Sequence, residues 1–322
     1  MLPIIDISPL NSDDLAVRQD VARQIGQNCE TMGFLYVTGH GVSDDVIADA
    51  RSATKRFFAM PDETKRRFVR PEGVLRGYIP TMPFSQNTPE APPTTYEGFN
   101  MGVELPPGDP AIEESHGLCT PNIWPDEPED FRGAIQAYWQ GVDRVSNLLL
   151  KAFALALGQD EDRFTRMFTK QLTNISLLHY HSRPELQDAP PDASVAHRDT
   201  NAITVLLPSP VGGLQVEGTD GVYREVVPEP GCFVVNIGNM MESWSGGRMR
   251  STMHRVHPPR HLERYSIGYF AVPDYDTVVE PLPGLPVTGA PEDMAPRHAG
   301  QDLEGFISNF DRQVRELNTE AA

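Results

Sequence analysis

Apolar positions follow two regimes along the chain. In the N-terminal half they recur at helical spacing. Val17, Val21, Ile25 and Cys29 lie four residues apart behind Ser12 as cap, and Gly33 stands where that helix would end. Phe34-Leu35-Tyr36-Val37, closed by Gly39-His40-Gly41, is an apolar run too short for a helix and reads as a buried strand. Ser43 predicts the cap of a second helix running to Phe57 and Phe58 before Pro61. From Pro128 to Leu157 the helical period returns through Phe131, Ile135, Tyr138, Val142, Val145, Leu149 and Ala152, with Gly158 at the exit, which predicts a long supporting helix. Residues 69–128 between them are rich in Pro and Gly, including Pro92-Pro93 and Pro106-Pro107-Gly108, and read as long loops.

Beyond Leu172 the pattern changes to short β-prone runs: Ile175 to Tyr180, Ala202 to Leu207, Gly213 to Val216, Cys232 to Ile237, Met253 to His257 and Tyr265 to Val272. Turn residues separate them, as in an all-β sandwich or barrel. Trp244-Ser245-Gly246-Gly247 reads as a hairpin turn, with Met240-Met241 beside it as core or pocket wall. A last periodic segment, Leu303 to Leu317, puts Phe306, Phe310, Val314 and Leu317 on one face of a terminal helix packed outside the β-rich part.

Composition narrows the function. The 322 residues carry a net charge of −18, which disfavours an electrostatic grip on nucleic acid or anionic membrane and points to small-molecule partners. Neither a long apolar span nor a basic leader is visible, so the expected location is cytoplasmic. Cys29, Cys119 and Cys232 have no paired spacing and read as reduced packing residues. Oligomeric state is not encoded in any of these features.

The candidate chemistry lies in the β-rich half. In His197-Arg198-Asp199 the outer two side chains share one side of an extended segment, because strand side chains alternate. With His254, in the later run Ser251 to Val256, they would complete the two-His-one-carboxylate set of a non-haem ferrous site, which leaves positions open for substrate and oxygen. Arg264-Tyr265-Ser266 repeats the same alternation: a guanidinium fork beside a hydroxyl seats a distal carboxylate, and Tyr180 offers a further phenolic donor. A metal at one end and Arg264 with Ser266 at the other suit a short dicarboxylic keto acid. Single His-x-Asp or Arg-x-Ser matches carry little weight; their ordered set is specific.

On these residues the chain resembles the isopenicillin N synthase-like branch of the iron(II)- and 2-oxoglutarate-dependent dioxygenases. The matching text extends to Leu2-Pro3-Ile4-Ile5-Asp6, Gly33 to Gly41, Phe57 to Pro61, Leu178-His179-Tyr180, Asn236-Ile237-Gly238 and Arg264 to Ile267. The resemblance implies that His197, Asp199 and His254 hold Fe(II), and that Arg264, Ser266 and Tyr180 bind the far carboxylate of 2-oxoglutarate, with O2 as the second cosubstrate. It implies a mixed α+β fold: a double-stranded β-helix, or jelly roll, with an N-terminal helical and mixed region and supporting helices outside. The division expected is an N-terminal region, 1–125, carrying the Pro-rich substrate loops, and a core, 126–322, with the supporting and terminal helices, together one compact unit. The chain departs from the family pattern in having Arg198 between the metal His and Asp, where Thr is frequent, and His181 after Tyr180, where Pro is common.

The implied reaction couples decarboxylation of 2-oxoglutarate to succinate with oxidation of a substrate C–H bond, by hydroxylation, desaturation or ring closure. Rivals are a 2-oxoglutarate-independent oxidase of the isopenicillin N synthase type, a zinc hydrolase on the same ligands, and a binding module that keeps only the barrel. Expected substrate-wall residues are Arg76, Tyr78, Phe99, Arg198 and Phe270. Competing readings are a salt bridge for Arg198, packing beneath a loop for Tyr78 and Phe99, and a solvated loop charge for Arg76. His179 and His181 read as hydrogen-bonded packing or surface groups rather than a second metal pair.

Overall fold

The computed structural model describes residues 2–84, 94–186, 195–290 and 292–320, and the side chains of these except 82–84, 94 and 316–320. Pro92-Pro93 and the Leu317 side chain therefore lie outside the described residues.

An eight-stranded sheet organises the molecule. Its spatial order is β1 (Ile4–Asp6), β2 (Phe34–Thr38), β9 (Phe233–Ile237), β6 (Ile203–Leu207), β11 (Arg264–Ala271), β5 (Asn174–Tyr180), β4 (Thr94–Gly102) and β3 (Gly77–Phe84). A second sheet contains β10 (His254–Val256), β7 (Leu214–Glu217) and β8 (Tyr223–Glu225), and a small pair joins β12 (Val278–Val279) to β13 (Arg297–His298). Four strands of the large sheet precede residue 126 and four follow it, so the N-terminal region and the core share one sheet.

The helices α1 (Leu15–Cys29), α2 (Asp44–Phe58) and α5 (Phe131–Ala156) pack together against one face of this sheet; α3 (Asp62–Arg66), α4 (Pro110–Glu114) and α6 (Asn239–Trp244) are short, and α7 (Ala299–Glu320) closes the chain. The predicted periodicity is observed in α5, where Phe131, Ile135, Tyr138, Val142, Val145 and Leu149 are all buried. Where α1 meets α5, a Cβ on Gly26 would lie 3.0 Å from the Ala156 methyl, so the small residue sets how closely the two helices pack. The cap of α1 is Asp14, which accepts from the Ala16 amide, rather than Ser12, which instead accepts from the Asp14 amide. Between the two sheets Phe34, Tyr36, Leu214, Val216 and Val234 form a second apolar cluster.

Three expectations about elements are corrected. Residues 69–128 contain β3 and β4, a hairpin within the main sheet, because sheet pairing outweighs the local Pro and Gly content. Trp244 ends α6 and is fully buried, so Trp244 to Gly247 is a helix terminus and not a hairpin turn. The terminal helix α7 does not merely pack outside: Leu303, Phe306 and Phe310 face a cavity of about 440 Å³ that the large sheet also lines. No described helix is long and apolar enough to cross a membrane.

Candidate active site

A pair of backbone hydrogen bonds assembles the first part of the site. The His197 amide donates to the His254 carbonyl at 2.9 Å and the His254 amide to the His197 carbonyl at 3.0 Å, an antiparallel bridge between segments far apart in sequence. The two imidazole centroids are consequently 4.4 Å apart. Asp199, on the same side of its extended segment as His197, places Oδ1 3.6 Å from Nε2 of both histidines.

The tautomers follow from the flanking backbone. Nδ1–H of His254 donates to the Thr252 carbonyl at 3.1 Å and Nδ1–H of His197 to the Val195 carbonyl at 3.2 Å. Since a carbonyl only accepts, each neutral ring keeps an unprotonated Nε2 turned toward Asp199. Burial pushes the Asp199 carboxyl upward, but His254, His197 and the Thr204 and Asn236 hydrogen bonds outweigh it and hold it below the usual range. Burial lowers His254, favouring the neutral ligand form. Two bare nitrogens and an ionised carboxylate oxygen, converging within 4.8 Å, fit a divalent cation.

One other donor cluster occurs among the described residues, Glu97, His179 and His181. It is already satisfied: Lys65 Nζ donates to Glu97 Oε2 at 2.6 Å, and the two His179 nitrogens face Glu97 at 2.7 Å and Glu263. Both ring nitrogens are thus turned onto carboxylates, in agreement with hydrogen-bonded packing.

At the start of β11, Arg264 lies opposite Tyr180 of β5, and its guanidinium stacks 4.8 Å from the phenol ring. Nε donates to the Gly212 carbonyl at 2.8 Å and Nη1 to Ser266 Oγ at 3.1 Å. The group is 1% exposed and has no carboxylate partner among the described residues. A buried cation without a counter-charge is a seat for an anion.

Strand parity decides which predicted wall residues reach the cavity. On β5, Ile175 and Leu177 face the helices, while Asn174, Ser176, Leu178 and Tyr180 face the cavity. The same alternation brings Phe270 of β11 to the cavity and sends Tyr78 and Phe99 to the other face. Those two are corrections: Phe99 is fully buried against Phe57 and Phe131, and the Tyr78 hydroxyl donates to Glu97. Arg76 is also off the cavity wall, buried where it donates to the Val103 carbonyl at 2.8 Å and the Asn122 amide oxygen at 3.4 Å. Arg198 lines the cavity and also lies 3.6 Å from Glu242 and 3.9 Å from Asp293.

Sequence reasoning missed Thr204 and Asn236, which donate to Asp199 Oδ2 at 2.5 and 2.7 Å. It also missed Asn100, Asn174 and Ser176, whose signal was available as polar positions alternating with apolar ones in β4 and β5.

Comparison with known proteins agrees with this geometry. Residues 2–127 match the family described as non-haem dioxygenase in morphine synthesis N-terminal, and residues 172–273 the 2OG-Fe(II) oxygenase superfamily. A 2-oxoglutarate-Fe(II) type oxidoreductase of Emericella nidulans is 31% identical over 287 residues, covering 87% of this chain and 82% of the relative. The isopenicillin N synthase of Lysobacter lactamgenus is 31% identical, with 90% and 91% covered. A full-length Neurospora crassa protein solved in complex with alpha-KG and thymine superposes with a TM-score of 0.82 at 25% identity, covering 96% of this chain and 97% of that one. A 2OG-Fe(II) oxygenase family protein from Caulobacter crescentus gives 0.82 at 28% identity, with 96% and 99% covered. With relatives that span nearly its whole length, the chain belongs to the non-haem Fe(II)- and 2-oxoglutarate-dependent oxygenases.

Proposed function

We propose that His197, Asp199 and His254 hold the ferrous ion, that Arg264, Ser266 and Tyr180 seat the distal carboxylate of 2-oxoglutarate, and that the enzyme oxidises a C–H bond of a small molecule held in the adjoining cavity. The observation that carries this reading is the buried Arg264 guanidinium, which lacks a carboxylate partner among the described residues and stacks on the Tyr180 ring. An Arg fork preoriented by Gly212 and Ser266 binds a carboxylate in two-point fashion with little further ordering. Within this reading, the two sheets with the cavity between them are the halves of a double-stranded β-helix, and residues 1–125 and 126–322 act as one unit.

Iron and 2-oxoglutarate, when bound, supply the oxidising chemistry, consuming O2 and releasing succinate and carbon dioxide. The chain's own residues supply position. Thr204 and Asn236 fix one oxygen of Asp199 and so aim the other at the two histidines. The carbonyls of Thr252 and Val195 hold both imidazoles in the ligand tautomer. Leu178, Val256, Phe270 and Val272 line the cavity with apolar surface, which limits access of water to the reacting face.

That similar proteins bind small molecules supports the substrate class: the Neurospora crassa protein was solved with thymine, and a jasmonate-binding neighbour, JOX2, with 2OG, Fe and JA. The test is release of labelled carbon dioxide from 2-oxoglutarate by the iron-loaded protein, with mass analysis of any cosubstrate for added oxygen or lost hydrogen. Turnover that proceeds without 2-oxoglutarate, or without O2, would refute the proposal in favour of the oxidase or the hydrolase.

A further inference from the structure

The cavity wall carries hydrogen-bonding groups that neither the metal nor the 2-oxoglutarate seat uses. Asn100 is 5% exposed, lines the cavity, and its side-chain amide has no hydrogen-bond partner among the described residues. Asn174 and Ser176 are likewise more than nine-tenths buried, and their one mutual contact, Asn174 Nδ2 to Ser176 Oγ, is stretched to 3.5 Å. Several amide and hydroxyl groups turned into one cavity wall with most of their hydrogen-bonding capacity unspent are the imprint of a ligand.

Sheet register makes the three a single patch. Asn100 of β4 stands directly opposite Ser176 of β5, and Ser176 opposite Gly268 of β11. Asn174 lies one step along the same face, opposite Phe270. Gly268 carries no side chain, and a Cβ there would come within 2.9 Å of the Phe270 ring, so the ring lies back over this glycine beside the polar patch. Arg264, at the other end of β11, is four residues from Gly268 and six from Phe270, roughly 13 to 20 Å along the strand. Thr204, which holds Asp199, pairs with Phe270 from the opposite side, so the patch adjoins the metal-ligand end.

The character of the patch specifies its ligand. Two carboxamides and a hydroxyl present donors and acceptors side by side but no charge. Arg198, the one Arg or Lys on the described cavity wall, is already matched by Glu242 and Asp293. Resting on the assignment above, we infer that Asn100, Asn174 and Ser176 are the specificity residues for a neutral heterocycle with an amide or imide edge, which they read by paired hydrogen bonds while Phe270 covers its face.

Binding is measured by calorimetry under argon with protein charged with Fe(II) and 2-oxoglutarate. The probes are uracil, 2-pyridone and glutarimide, each beside its N-methylated derivative. The unmethylated forms are expected to bind at least tenfold more tightly in the unaltered protein, and Asn100→Leu and Asn174→Leu to shrink that ratio below about threefold. Equal binding of methylated and unmethylated probes, binding of none of the three, or a ratio unmoved by both variants overturns the inference. The probe series needs no variant, so a misfolded mutant cannot decide the result. Failure of 2-oxoglutarate itself to bind the unaltered protein would refute the functional assignment, whereas uptake of 2-oxoglutarate without probe discrimination refutes only the subsite.

Discussion

Asn236 donates its side-chain amide to Oδ2 of Asp199 at 2.7 Å, and this bond leaves Oδ1 as the oxygen that faces the two histidines. Asn236 is 3% exposed on β9, a strand that the Asp199 segment does not belong to, so the carboxylate orientation is set by the sheet and not by the His-x-Asp motif alone.

Removing that restraint weakens the metal site without dismantling it. Asn236→Ala and Thr204→Val are each expected to lower Fe(II) affinity about 10- to 100-fold. Anaerobic titration with Fe(II) checks this, and unchanged affinity in both variants would show that Asp199 is oriented by other contacts. His254→Ala removes one of the three proposed ligands and is expected to abolish stoichiometric iron binding.

Arg264 tests the other end. Arg264→Gln is expected to raise the Kd for 2-oxoglutarate at least a hundredfold, about 3 kcal/mol. Arg264→Lys keeps the charge but loses the fork, and recovers only part of the affinity. Iron titration of the same proteins should move far less, and an equal loss of both ligands would mean that the cavity had collapsed.

Strand parity separates residues that look alike in sequence. Phe270→Ala should raise KM for the organic substrate, whereas Tyr78→Phe and Phe99→Leu should leave KM near its original value and lower stability by about 1–2 kcal/mol. Urea unfolding and steady-state kinetics on the three variants read this directly, and a KM effect in Phe99→Leu with stability intact would contradict the packing described.

Glu97 gives the fold an acid dependence. Burial pushes its carboxyl up, but hydrogen bonds from His179, Lys65 and Tyr78 prevail and bring it from 4.5 down to about 2. The stabilisation is therefore complete above pH 4.5 and is lost progressively as pH falls toward 2. Glu97→Gln should flatten the stability curve across that interval. At neutral pH it should cost about 3–5 kcal/mol, because Lys65 is left buried without its partner. Urea midpoints measured between pH 2 and 7 test both effects, and parallel curves for the two proteins would overturn the account.

What the amino-acid sequence determined by itself was local. The period of the α5 apolar positions, the Ser43 cap and the alternation in His197-Arg198-Asp199 and Arg264-Tyr265-Ser266 follow from backbone geometry within a few residues, and each element formed as that geometry requires. Tertiary structure decided the rest. Strands β3 and β4 exist because neighbouring strands complete their hydrogen bonds, a condition invisible in a Pro- and Gly-rich stretch. The meeting of His197 with His254 depends on a backbone bridge between distant segments. Which aromatic residues face the cavity depends on register, since a strand shifted by one residue exchanges its two faces. Phe99 and Phe270 illustrate it: similar in composition and context, they were assigned to opposite faces of one sheet by pairing partners that no local pattern specifies.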